Sequence, residues 1–338
     1  MAHRVGIIGS GSIANTHVLG YRLAGAEIVA ISDVDAATLD RRQREWGIDR
    51  VHGDYRALLD DPDIDAVSVC TPNAHHHEAT VAAAKAGKHV LCEKPISMSL
   101  TQAEEMIGAC ANAGVVLQVG HHLRSMAASV KAKQLIDDGA LGRVAFIRLR
   151  QAHDWGGARA VRSSFGSLAS SGGGTLLDNG CHMFDLARYL GGDVHDVTAR
   201  IATLKFDVEV EDTAVATLGF ASGALGQVEA AWTGTGWQEA FWVFGSEGSL
   251  EYDNRAGGAL VHRYREGDST TWAGTDIATH QLQGREAHAA HVANFLAAIE
   301  GRRDVVCTGE DGLEAVRLVL ASYASASSGT RVRLDRAA

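Results

Sequence analysis

Short apolar runs alternate with longer amphipathic stretches through the first third of the chain. The runs Val5 to Ile8, Ile28 to Ser32, Ala66 to Cys70, His89 to Cys92 and Val115 to Val119 predict strands. Between them, Ile13 to Leu23, Ala36 to Trp46, Glu78 to Ala86 and Leu100 to Ala113 predict helices, with Gly87 and Gly114 as C-caps and Ser99 with Gln102 as a capping box. Strands separated by helices predict a parallel sheet with right-handed crossovers. From about Arg124 the pattern changes. A helix to Asp138, a strand from Val144 to Gln151, a Gly/Ser-rich segment (Ser163 to Gly174) and a helix from about Leu176 to Leu190 come first. Then follow the runs Val194 to Lys205, Asp212 to Phe220, Ala224 to Trp232, Gln238 to Phe244 and Ser249 to Tyr252, joined by turn signals such as Ser222-Gly223. Successive short strands predict an antiparallel sheet. Helices at Glu286 to Ile299 and Asp311 to Ser325 and a strand near Val332 close the chain. The expected fold is α/β: an N-terminal parallel-sheet domain over 1–123, then an α+β domain over 124–338 whose large, open sheet is mostly antiparallel.

The 338 residues are 46% hydrophobic, enough for substantial cores without staples. A net charge of −10 with no basic block argues against nucleic acid or an anionic membrane as partners. Five scattered cysteines form no CxxC pair and read as reduced thiols of a cytoplasmic protein. The start, Met1-Ala2-His3-Arg4, has no signal pattern, and no apolar run approaches a membrane span.

The first chemistry lies where the first strand meets the first helix. Gly9-x-Gly11-x-x-Ala14 opens that helix, and Asp33 ends the second strand. The glycines, with Ser12 and Ile13, let backbone approach a pyrophosphate at a helix N-terminus, and Asp33 suits ribose hydroxyls. This predicts a Rossmann domain, and with no basic residue in Asp33-Val34-Asp35 the cofactor is NAD rather than NADP. Two of the three prolines then stand just after strands, in Thr71-Pro72-Asn73 and Glu93-Lys94-Pro95, at the carboxyl edge where open α/β sheets bind ligands.

These motifs, with Thr71-Pro72-Asn73-x-x-His76, Gly172-Gly173-Gly174-Thr175-Leu176-Leu177-Asp178-x-x-x-His182 and Tyr323-x-Ser325-Ala326, occur in an order that resembles the glucose-fructose oxidoreductase / inositol dehydrogenase / MocA family over nearly the whole chain. The resemblance implies that Lys94, Asp178 and His182 are catalytic, that the Lys94–Pro95 bond is often cis, and that Thr71, Pro72, Asn73, His76 and Glu93 line the dinucleotide site. It also implies no metal at His75-His76-His77, and a homodimer or homotetramer formed through the second-domain sheet.

The residues themselves can move a hydride from a carbinol carbon, which needs a base for the hydroxyl proton and a cation beside the nascent alkoxide. His182 can be the base and Lys94 the cation; Lys94, with its pKa depressed beside oxidised nicotinamide, can instead take the proton. Asp178, one helical turn before His182, can bond the ring or a sugar hydroxyl. Further candidate substrate contacts are His121 and Arg124 after the fifth strand, Trp155 for stacking on a sugar, Arg159 and Arg162 for an anionic group, and Asn179, which either meets sugar or caps a helix. His121 can equally be structural between domains, Trp155 core packing, and the arginines solvated. His288-x-x-His291 reads as a packed or surface pair. The expected activity is NAD-dependent oxidation of a cyclic polyol, sugar or glycoside hydroxyl. The alternatives are a redox-neutral, NAD-requiring glycosidase working through a 3-keto sugar, and an NAD-binding regulator without turnover.

Overall fold

A computed structural model describes residues 2–272 and 285–334. Its described residues fall into two units, one built from 2–125 and 285–313, the other from 126–272 and 314–334. None of its described helices is long and apolar enough to cross a membrane.

The first unit contains six parallel strands: β1 (Arg4–Ile8), β2 (Glu27–Ser32), β3 (Arg50–His52), β4 (Ala66–Val69), β5 (His89–Cys92) and β6 (Leu117–Val119). They lie in the order β3-β2-β1-β4-β5-β6, the Rossmann arrangement, with the order reversing between β1 and β4. The glycine turn after β1 and the Thr71 turn after β4 flank that switch point. Helices Ala14–Leu23, Ala36–Trp46, His76–Lys85 and Leu100–Ala113 connect the strands. Asp35 and Ser99 cap two of them by accepting from Thr38 N and Gln102 N. Strand β3 and the short helix Tyr55–Leu59 have no counterpart in the sequence expectation; Arg50–His52 is a short edge strand, too brief for a period-2 signal.

Helix Glu286–Ile299 also belongs to this unit, whereas the sequence reading assigned everything after residue 123 to the second domain. Val292, Phe295 and Leu296 join the core around Val18, Tyr21, Ile28 and Ile31, and Gly20 lets the two helices close up: a Cβ there would lie 3.0 Å from Val292 Cγ2. A stripe of apolar residues shows that a helix packs, not on which domain.

The second unit holds β7 (Val144–Ala152), β8 (Val194–Ala202), β9 (Thr213–Phe220), β10 (Leu225–Ala231), β11 (Gln238–Gly245), β12 (Gly248–Asp253), β13 (Leu260–Tyr264), β14 (Ser269–Trp272) and β15 (Val332–Arg333). Their order is β14-β13-β12-β11-β7-β10-β9-β8-β15, and every pairing is antiparallel except β10 with β7. Along β7, Ile147 and Leu149 face the helix-covered side with Val228 of β10 and Phe241 and Val243 of β11, all fully buried. Strands β13 and β14 were not foreseen. The helix expected from Leu176 is a π-helical turn, Leu176–Gly180, running into α-helix Cys181–Gly191.

Candidate active site

The predicted site residues fall in both units, one group in each. In the first, the turn after β1 is shaped by close backbone contact. Gly9 has φ +85°, and a Cβ there would sit 2.9 Å from the main chain of Cys70 and Thr71, so only glycine fits. A Cβ on Gly11 would meet nothing, which leaves that side of the turn open; Ser12 and Ile13 lead into the helix that begins at Ala14. Asp33 accepts from Ser10 N (2.8 Å) and Ser10 Oγ (2.9 Å) through Oδ2, and from Asp35 N through Oδ1. Arg42 supports the turn from its other side, donating to Ser10 O (3.0 Å). Thr71 Oγ1 is buried with no partner among the described residues. An open glycine cradle at a helix start, a fixed acid and an orphaned hydroxyl fit a dinucleotide.

The Lys94 turn rests on a buried polar stack. The Lys94–Pro95 bond is cis. His76 lies behind it, with Nδ1 2.8 Å from Pro95 O and Nε2 3.0 Å from Thr71 O, so one ring ties the two proline turns together. Burial pushes its pKa down against those carbonyls, and the neutral ring donates to one of them at a time. Glu93 Oε2 accepts from Lys94 N (3.2 Å), and Glu93 Oε1 meets His17 Nε2 at 2.8 Å. His17 Nδ1 contacts Ser68 Oγ, which also contacts the Tyr21 hydroxyl. Burial works against the His17 imidazolium, but neighbouring Cys70 and Glu93 outweigh it and raise its pKa. Burial likewise opposes the Glu93 carboxylate, and His17 outweighs it and lowers its pKa. Both shifts favour the charged forms, a protonated His17 facing an ionised Glu93 in the interior. Gly120 makes room for the pair, since a Cβ there would lie 2.9 Å from Glu93 Oε1. Nothing in the chain pattern marked His17, which reads as one more position on an amphipathic helix.

The other histidines of this unit sort themselves. His77 contacts Glu105 at 2.6 Å while His76 turns inward, so the neighbours diverge. His122 stacks on His288 at 3.4 Å, and burial holds both pKa values well below the ordinary value; His291, bonded to Val119 O, is pushed down by burial to about 4. His121 is fully buried. Arg124, expected at the substrate, is buried instead, with Nη1 2.9 Å from Asp311 Oδ2 and 3.2 Å from Val306 O. It ties the turn after β6 to the start of helix Gly309–Ser328, because an arginine this far from solvent needs a carboxylate beside it.

In the second unit the glycine triplet is a clamp. Glu211 accepts from Gly174 N (3.0 Å) and Leu176 N (2.8 Å) and from the Tyr323 hydroxyl (2.9 Å), which explains the distant Tyr323 of the motif. Cβ atoms on Gly173 and Gly174 would lie 2.1 Å from Tyr323 Oη and 1.9 Å from Glu211 O, so neither position admits a side chain. The π turn leaving this clamp carries Asp178, and His182, 4% exposed, follows in the first turn of the α-helix. Trp232 Nε1 donates to Asp178 Oδ2 at 3.1 Å, and Gly156 packs so closely on that indole that a Cβ would lie 2.3 Å from Nε1.

Asn179 neither caps the helix nor faces outward. It is buried, accepts from His153 Nε2 (3.0 Å) and donates to Thr175 Oγ1 (3.3 Å), so its amide orients His153. Trp155 is half-exposed beside His153, the Arg159 guanidinium lies 5.3 Å over its ring, and Arg162 is exposed. Trp232, Trp237 and Glu211 were missed; single aromatic or acidic residues in strand-rich sequence carry no motif.

The chain matches two family models, "Oxidoreductase family, NAD-binding Rossmann fold" over residues 3–121 and "GFO/IDH/MocA C-terminal domain" over 129–251. It is 34% identical to a 1,5-anhydro-D-fructose reductase of Ensifer adhaerens, covering 98% of this chain and 99% of that protein. It is 30% identical to a myo-inositol 2-dehydrogenase of Thermotoga maritima, covering 98% of each. A solved levoglucosan dehydrogenase in complex with NADH and levoglucosan superposes with a TM-score of 0.91 at 27% identity, over 99% of this chain and 100% of that one.

Proposed function

Since the chain belongs to the GFO/IDH/MocA oxidoreductase family, we propose that it moves a hydride between a hydroxyl-bearing carbon of a cyclic polyol, sugar or glycoside and the nicotinamide of NAD. The observation that carries this reading is the clamped helix start, which fixes Asp178 and His182 on one short segment. Bound NAD supplies the hydride acceptor. Gly9, Gly11, Ser12 and Ile13 hold its pyrophosphate, Asp33 its ribose hydroxyls, and Thr71, Pro72, Asn73 and Glu93 line its path, with His76 bracing the turns from behind.

An imidazole nitrogen of His182 takes the hydroxyl proton. Lys94 Nζ stabilises the charge that develops on the oxygen, and Asp178, aimed by the Trp232 indole, orients the substrate hydroxyls. Asn179 and His153, bonded to each other and buried, support the Asp178 segment from behind, and half-exposed Trp155 offers a stacking face. The enzyme works as a cytoplasmic homo-oligomer. Its cysteines are free and buried. On the sheet face opposite the buried Ile147 and Phe241, cross-strand neighbours Leu225, Phe146 and Phe244 leave apolar surface for a second subunit, beside Trp242 stacked with Arg148.

Incubating the protein with NAD and a panel of inositols, free sugars and aryl glycosides tests the reading, with NADH absorbance and released aglycone followed in one sample. NADH formation with a member of the panel is expected. Aglycone release without NADH would replace the dehydrogenase with a redox-neutral glycosidase, and silence in both channels would count against both.

A further inference from the structure

Two tryptophans of the second unit, Trp155 and Trp237, are each 49% exposed, and both are arranged around His153. The His153 ring cannot turn. Its Nδ1 accepts from Gly156 N (3.2 Å), so the proton sits on Nε2 and is donated to Asn179 Oδ1 (3.0 Å). The Trp237 indole lies flat on this ring, 4.3 Å away and inclined by 9°, while Trp155 meets it edge-on at 6.0 Å and 67°. One indole face of Trp237 is therefore covered by a buried imidazole, while the residue as a whole stays 49% exposed. The backbone there is also fixed, since Arg255 Nε and Asn254 Nδ2 both donate to Trp237 O. The two indoles lie within about 10 Å of each other and are steeply inclined, with His153 at the corner they share. Asn179, whose amide fixes the corner's shared ring, is the residue between Asp178 and the remainder of the helix that carries His182.

A sugar presents flat C–H faces that stack on indole, and an aryl group does so more strongly. One ring can lie parallel to only one of two steeply inclined indoles. From this geometry we infer that Trp237 is the floor of a second-ring subsite: the substrate is a glycoside whose aglycone or second sugar stacks on Trp237 while the reacting ring sits against Asp178, His182 and Trp155. This rests on the oxidoreductase reading for the reacting ring, but the stacking step is testable without turnover.

Calorimetric titration of the NAD-loaded protein with methyl and phenyl glycosides of glucose, galactose and mannose tests it. Phenyl glycosides should bind about tenfold tighter than the matching methyl glycosides. The preference should vanish in Trp237→Ala and return in Trp237→Phe, with thermal melting run on each variant to confirm folding. An unchanged preference in Trp237→Ala, no preference in the native protein, or binding of no glycoside at all would overturn the subsite. So would a change of native mass in Trp237→Ala, which would assign the indole to a subunit contact. NADH formation from an inositol or free sugar in the same preparation would then show that the oxidoreductase reading survives without the subsite.

Discussion

Replacing His17 with leucine removes the cation from a buried pair while keeping most of the side-chain volume, and leaves Glu93 Oε1 without its partner while Oε2 keeps the Lys94 N–H. His17 and Glu93 are 4% and 7% exposed at 2.8 Å, so water cannot take over the lost partner. Breaking one side of a buried pair costs roughly 3–5 kcal/mol. If the NAD-binding unit, about 150 residues, melts by itself, each kcal/mol lowers the midpoint by about 2–4 °C, so a loss of roughly 10 °C is expected. The doubly substituted His17→Leu/Glu93→Gln protein has no uncompensated charge and should recover more than half of the loss. The pH dependence adds a sharper test. His17 has a raised pKa in the folded protein, so its contribution is complete below the ordinary value of 6.5 and is lost as pH rises through the folded value. Glu93 has a lowered pKa, so its contribution is complete above 4.5 and is lost as pH falls through the folded value. Native stability should therefore decline from pH 7 toward 10 more steeply than that of the double variant, as followed by denaturant titration at each pH. A loss under about 1 kcal/mol in His17→Leu, or parallel pH curves, would refute the ion pair.

Gly174→Ala drives a Cβ to 1.9 Å from Glu211 O, which only main-chain movement relieves; about 3 kcal/mol or more of stability should go, read as a lowered melting point and lost soluble yield. Trp232→Phe deletes the N–H that holds Asp178 Oδ2, so kcat/KM should fall ten- to a hundredfold while the melting point shifts by a few degrees at most. Asp33→Ala removes the acceptor for Ser10 N, Ser10 Oγ and Asp35 N together with the acid that repels a 2′-phosphate. NAD should bind roughly tenfold more weakly and the preference over NADP should shrink, as read by fluorescence titration with each dinucleotide.

What could be read from the chain was whatever local chemistry imposes. The glycine turn, Asp33 and the two proline turns are each confined to a few consecutive residues, and β1, β2, β4, β5 and β6 stood out as apolar runs because most of their residues are buried. The Gly172–Gly174 motif was legible as a pattern, while its cause, Glu211 and Tyr323, lies far off in sequence. Arg124 misled because its partner Asp311 is remote, and an isolated arginine after a strand looks the same whether it meets a substrate or a carboxylate. Asn179 misled similarly, since only the fold brings His153 to its side. Helix Glu286–Ile299 was placed to the residue but assigned to the wrong unit, because an apolar stripe does not name its partner.

Lys94 and His182 are proposed to act on the reacting hydroxyl of a sugar or polyol. The most direct measurement of this is steady-state NADH formation by the native protein, Lys94→Ala and His182→Ala with a substrate from the panel, with NAD affinity determined on the same samples. Turnover should fall at least a hundredfold in each variant while NAD still binds within a few-fold of native. Turnover that persists in both variants would contradict the account.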